Sequence, residues 1–228
     1  MGLPKEHYDT PLAEAISLGV HESESRAWET RIGRTEAFWE FLLPVAEKMF
    51  PHKKANVTPA QFFREISRVA PTFIRTDSDE VTYPLHVILR FQIEKELLEG
   101  TLATKDLPER WKNGLQKLLG VRPSTNREGC LQDIHWSMGA FGYFPTYTLG
   151  NMYAAEFFPL FEAAHPNWQE EIRNGKFDSM RQWHLENVHQ HGRRYTSQEL
   201  IQKLTGRKLT AANYIKYLRD KYLGIFKR

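Results

Sequence analysis

Apolar residues recur at helical spacing along most of the 228-residue chain. Behind Thr10-Pro11, a capping residue followed by a proline at the first helical position, Leu12, Ala15, Ile16, Val20 and Trp28 line up at roughly helical intervals, which predicts a helix running to Gly33. A second predicted helix, over about residues 35–50, carries Phe38, Phe41, Leu42, Val45 and Phe50. Pro44 inside it removes one backbone hydrogen bond and should bend or split it. Thr58-Pro59 repeats the start signal ahead of QFFREISRVA, and Pro71 closes that element. Residues 81–98, with Gly100 as C-cap, and residues 106–119, ending at Gly120, read as two more helices.

Between these, TFIRTDSDEVTY (72–83) is less periodic and holds β-branched residues, so a short strand or hairpin arm is expected there. Residues 121–145 are rich in Gly, Pro, Asn and aromatics and read as a structured loop around a short helix near 131–136. The stretch 146–165 predicts a mostly apolar helix buried on most sides. Three further helices are predicted near 178–190, 197–204 and 210–226, the middle one with Thr196 and Glu199 as a capping box. No repeat, low-complexity tract or linker interrupts the pattern. The expectation is a single all-α domain over residues 1–228, a multi-helix array with at most one small hairpin.

Composition narrows the class. With 41% hydrophobic and 26% charged residues the chain is globular rather than disordered or fibrous. Its 31 Lys+Arg against 28 Asp+Glu, dispersed rather than striped, give no argument for a nucleic-acid partner. The only cysteine, Cys130, cannot close an intrachain disulfide or form a thiolate cluster, which points to a reducing compartment. No stretch approaches 18 uninterrupted apolar residues, and MGLPKEHYDT lacks the basic and apolar regions of a signal peptide. A cytoplasmic protein with no membrane partner is the expectation.

Four segments hold more functional groups than a helical core needs. HESESR (21–26) sets His, two Glu and Arg in the middle of an amphipathic helix, where Glu22 and Arg26, four residues apart, can pair on the surface and one carboxylate does not make a metal site. IRTDSDE (74–80) offers Arg75 as a bidentate partner for a free carboxylate, or an arginine neutralised by Asp77, Asp79 and Glu80. GCLQDIHWSMGAFGYFPTY (129–147) combines Gln132, Asp133 and His135 with Tyr143 and Tyr147, which suits either a catalytic loop or a structural aromatic one. In HLENVHQHGRRY (184–195), His184, His189 and His191 are spaced five and two apart. Because a shared helix face requires four, this reads as a cationic helix end rather than a zinc site.

In this order, GLPKEHYDTPLAEAISLGVHESESRAWE, FIRTDSDEVTYPLHVILRFQIEKEL, GCLQDIHWSMGAFGYFPTYTLGNMYAAEFF and HGRRY resemble the carboxypeptidase Taq family of metallocarboxypeptidases, across essentially the whole chain. The resemblance implies a mainly helical fold with a deep groove, and removal of C-terminal residues from peptides with a divalent metal, usually zinc and sometimes cobalt. It puts the role of third metal ligand on Glu22 and makes Arg75 the counterpart of an arginine near the substrate carboxylate. Gln132, Asp133 and His135 fall in the GxxQDxHW motif that lines the groove, Gln132 and Asp133 on the substrate side and His135 with the chemistry. Tyr143 and Tyr147 look like further catalytic groove residues. Ser78 stands where the family usually has Ala.

The family's HExxH helix, source of two metal-binding histidines and the catalytic glutamate, has no counterpart in these 228 residues, nor have its HPF and DxRxT motifs. What remains looks like a C-terminal half. A catalytic zinc needs about three protein ligands and a bound water, which Glu22 alone cannot supply, so the chain by itself is expected to be inactive. Its expected partners are a peptide with a free C-terminus, an N-terminal half on another polypeptide, and a second copy of itself. The alternative is a non-catalytic peptide-binding module that keeps half of the groove.

Overall fold

Local capping chemistry sets several of the helix starts and stops. The computed structural model describes residues 2–51 and 56–226, and among these it has ten α-helices and no strand. They are α1 (Leu18–Arg26), α2 (Glu36–Met49), α3 (Pro59–Ile66), α4 (Tyr83–Leu98), α5 (Leu107–Leu119), α6 (Pro145–Ala164), α7 (Trp168–Arg173), α8 (Asp178–Asn187), α9 (Ser197–Thr205) and α10 (Ala212–Phe226). Thr58 with Gln61 and Thr196 with Glu199 form reciprocal capping boxes at the starts of α3 and α9. Gly120, at φ +73°, ends α5 as its position predicts.

Three expectations are corrected. Thr10-Pro11 opens only the 3₁₀ turn Pro11–Ala13, and the long helix begins later. Glu14 is extended, and Ser17, whose side chain accepts from the Val20 N–H at 3.1 Å, supplies the effective cap. From there α1 runs on as a π-helical turn, Ala27–Gly33, so Gly33 does mark the end. The hairpin expected over 72–83 does not form. Asp79 accepts hydrogen bonds from the backbone N–H of Ala70, Val81 and Thr82 and from the Thr82 hydroxyl, which folds the chain back into α4 instead of letting it extend. Residues 131–136 form turns rather than a helix, because Gln132 and Asp133 commit their side chains to remote partners. Pro44 lies inside α2 without splitting it; this helix packs against α3 and α7, and tertiary contact outweighs the local penalty.

The chain divides into two compact units, Met1–Ser67 with Leu149–Arg228, and Arg68–Thr148. The core of the first gathers Val20, Ala27 and Ile32 with Phe157, Phe161, Met180, Leu200 and Ile201. Phe157 and Phe161, each 1% exposed, contribute about 1.5–3 kcal/mol apiece by burial. Trp168 of α7, a helix the periodicity does not reveal, meets Phe158 edge-on at 5.2 Å. In the second unit, Leu89 and Ile93 of α4 pack with Trp111, Leu115 and Leu119 of α5, and Tyr83, Val87 and Phe144 form a smaller apolar cluster. No helix among the described residues is long and apolar enough to cross a membrane.

Candidate active site

The second unit builds its polar centre around one carboxylate. α4 carries His86, Arg90 and Glu94 at intervals of four on the same stripe as Tyr83 and Val87, so three polar side chains point into the interior. Arg90 is fully buried; its Nε donates to Asp133 Oδ2 at 2.7 Å, and its Nη2 donates to Gln132 Oε1 at 2.8 Å. From the other side, Arg75 donates to Asp133 Oδ1 through Nη2 at 2.8 Å and Nε at 3.2 Å. Its Nη1 donates to the Tyr83 hydroxyl at 2.9 Å. Gln132 completes the frame. Its Oε1 also accepts from the Arg75 backbone N–H, while its Nε2 donates to the carbonyls of Phe73, Glu128 and Gly129.

Arg75 is thus balanced not by Asp77, Asp79 or Glu80 in its own segment but by Asp133, 58 residues on. Burial opposes ionising the Asp133 carboxyl, but Arg90 and Arg75 outweigh it and hold its pKa below the ordinary value. Burial, opposed by Asp133 and aided by Arg75, brings Arg90 down to about 10, still cationic at neutral pH. Two guanidiniums against one carboxylate leave this centre net positive.

His135 stands next to that charge. Its Nε2 shares a hydrogen bond with the Tyr147 hydroxyl at 2.9 Å, and its Nδ1 lies 3.9 Å from Asp133 Oδ1. The ring lies 4.3 Å from Phe144 and 5.6 Å from Tyr143, centroid to centroid. Burial outweighs the upward pull of Asp133 and, with Arg75 and Arg90 adding to it, depresses its pKa, so at neutral pH it is an uncharged imidazole paired with a phenol. Such a pair can pass a proton or present a donor to an oxyanion. All of Arg75, Gln132, Asp133, His135, Tyr143 and Tyr147 therefore gather in one place.

Sequence reading missed Arg90 and His86, although the four-residue spacing of polar side chains on an apolar stripe was the available signal. His86 is fully buried with no hydrogen bond to either ring nitrogen. Burial, then the charges of Arg90 and Arg75, depress its pKa to about 3, with Asp133 opposing. Its folded value lies below the unfolded one, so the unfolded chain binds more protons from pH 6.5 down to about 3 and stability falls as pH falls through that window. Between pH 7 and 5 the loss is expected to be about 2 kcal/mol. Urea unfolding at the two pH values checks this, and a His86→Gln variant with an undiminished pH slope would overturn it.

Glu22 lies in the first unit, on α1. Gly150 of α6 lets it sit where it does, since a Cβ there would stand 2.7 Å from Glu22 Cγ and 3.0 Å from its carbonyl carbon. The Nε of Arg26 donates to Asn151 Oδ1 at 2.7 Å, and its Nη1 pairs with Glu29. Among the described residues the group of three His, Cys, Asp or Glu side chains close enough to share an ion is Glu24, His184 and His189, without Glu22. His184 and His189 do not share a helix face; they come together around Glu24 of α1.

The chain matches the profile of the carboxypeptidase Taq (M32) metallopeptidases over residues 1–222. It is 41% identical over 225 residues to thermostable carboxypeptidase 1 of Thermus thermophilus, covering 99% of this chain and 44% of that protein. With carboxypeptidase 1 of Bacillus subtilis it shares 38% identity over 217 residues, 95% of this chain and 43% of that one. Its fold is similar to the crystal structure of an M32 carboxypeptidase from Deinococcus radiodurans R1, with a TM-score of 0.93, 42% identity, and coverage of 100% of this chain and 46% of that one. The chain spans less than half the length of the curated relatives it matches. It belongs to the carboxypeptidase Taq (M32) family of metallopeptidases.

Proposed function

We propose that this chain is the C-terminal part of a metal-dependent carboxypeptidase that releases C-terminal amino acids from peptides, and that by itself it does not hydrolyse them. The observation that supports the reading most is the net positive Arg75–Asp133–Arg90 centre beside the neutral His135–Tyr147 pair. An excess of positive charge in a partly dry site attracts a peptide's terminal carboxylate. Arg75, Gln132 and Asp133 act on the substrate side. His135, Tyr143 and Tyr147 supply hydrogen-bond donors and a proton route at the scissile amide.

Glu22 takes the place of one ligand to zinc or cobalt, the remaining ligands and the general base coming from outside these 228 residues. The chain has no HExxH, and Glu22 falls in no group of three donors among the described residues, so no step of hydrolysis is assigned to this chain alone. The partners in this reading are a peptide with a free C-terminus, an N-terminal half, and a second copy. Self-association is supported by Leu131, Ile134 and Met138, each about 70% exposed on one loop. A cytoplasmic location agrees with the single buried thiol.

Reconstitution tests the proposal. The chain is mixed with the N-terminal half of a relative, zinc and a blocked dipeptide, and C-terminal release is expected from the mixture but from neither part. Activity of the chain alone, or none at any ratio, would sink it. Light scattering of the chain on its own reads the self-association, and a monomer excludes it.

A further inference from the structure

Glu24 follows Glu22 by two residues on α1, which turns its side chain about 200° around the helix. It therefore leaves the Glu22 face, and on the other side it meets histidine. Oε2 of Glu24 lies 2.7 Å from Nδ1 of His184, on α8, and 2.7 Å from Nε2 of His189, in the turn after α8. The three donor atoms all fall within 4.8 Å of one another.

His184 is only 2% exposed, yet neither of its ring nitrogens makes a hydrogen bond, and Oε1 of Glu24 is likewise buried without one. His184 Nδ1 approaches only the carboxylate, at 2.7 Å, while His184 Nε2 and Glu24 Oε1 face no partner. Buried polar atoms without partners are rare and call for an explanation. His189 Nε2 shares a hydrogen bond with Glu24 Oε2, at 2.7 Å, so the three side chains meet at one carboxylate oxygen, with two donor nitrogens and a further carboxylate oxygen gathered around it.

Two imidazoles and one carboxylate form a donor set for zinc, cobalt and similar ions, whereas calcium and magnesium favour oxygen alone. Ligands about 2.0–2.2 Å from a tetrahedral ion stand roughly 3.4 Å apart, so each histidine would need to open from the carboxylate by about 0.7 Å. That is a side-chain adjustment. A cavity of about 270 Å³ lined by His21, Glu24, Val188 and His189 gives access and room for a water in the fourth position.

We propose that Glu24, His184 and His189 form a binding site for a divalent transition metal of the zinc and cobalt class, separate from the Glu22 position. The site ties α1 to α8 and the turn beyond it, joining residues as far as 165 positions apart in sequence. A bound ion stabilises the folded chain in proportion to the logarithm of its concentration. The inference does not rest on carboxypeptidase activity, because its readout is binding.

The test uses the tag-free 228-residue chain stripped of metal with a chelator. Titration with Co²⁺ is expected to give one equivalent bound, with the visible absorption of a tetrahedral cobalt centre, displaced by Zn²⁺. The melting temperature should rise with added Zn²⁺. Glu24→Gln, which keeps the side-chain shape, and His189→Gln, which spares the deeply buried His184, should each weaken binding tenfold or more, while Glu22→Gln leaves it intact. Circular dichroism establishes that each variant is folded. No cobalt spectrum at millimolar metal would overturn the proposal, as would binding that survives both Glu24→Gln and His189→Gln or that disappears in Glu22→Gln.

Discussion

Asp133→Asn is expected to cost about 3–5 kcal/mol of stability, a large share of the 5–15 kcal/mol typical of a folded domain. The substitution keeps the shape of the side chain and removes the one negative charge shared by Arg75 and Arg90, whose side chains are 8% and 0% exposed. Two buried guanidiniums would then face each other with only neutral acceptors. Urea unfolding measures the loss, and a change under about 1 kcal/mol would refute the shared-carboxylate account. The pH dependence carries a second signature. Because the folded pKa of Asp133 is depressed, its contribution is full above the unfolded value near 3.9 and is lost as pH falls below it. The variant should therefore show a shallower acid limb. Adding Arg90→Met should recover part of the loss, since it removes the unpaired charge.

Gly192→Ala should be comparably damaging for a purely geometric reason. Gly192, in the turn after α8, has φ +50° and ψ −142°, a backbone region essentially closed to residues with a side chain. A Cβ there would also stand 1.9 Å from the Leu12 carbonyl oxygen and 3.1 Å from Pro4 Cδ. Backbone cannot yield as a flexible side chain can, so either the turn or the Pro11–Ala13 segment must move. Strain and lost packing together are expected to cost about 3 kcal/mol or more. A sharply lowered thermal midpoint is the readout, and an unchanged one would mean that the N-terminal segment is not held against this turn. Arg193, which pairs with Glu14, would be displaced with it.

These two positions also mark what could be read from the sequence. Interactions within a few residues were legible. The caps at Thr58 and Thr196 and the helix stop at Gly120 stand where the residues put them, because the groups that satisfy each other there are neighbours in the chain. Thr10-Pro11 misled because a second cap, Ser17, competes with it and tertiary packing chooses between them. α7 escaped notice because six residues give too little periodicity to see. The site was legible only as a set of residue types: Arg75 and Asp133 were both visible, but not that each is the other's partner, nor that Arg90 on α4 completes them. The Glu24 cluster was hidden more deeply, since its donors come from opposite ends of the chain and their spacing within either segment argues against them.

The division into two units has a consequence for how the chain comes into being. The unit Arg68–Thr148 is one continuous stretch, and all its contacts can close as soon as that stretch has left the ribosome. The other unit is written in two instalments. Val20, Ala27 and Ile32 are synthesised early, but the side chains they pack against, Phe157, Met180 and Ile201 among them, emerge more than a hundred residues later. During that interval Val20, Ala27 and Ile32 lack the core partners that lie after residue 149, the state in which nascent chains most need a chaperone.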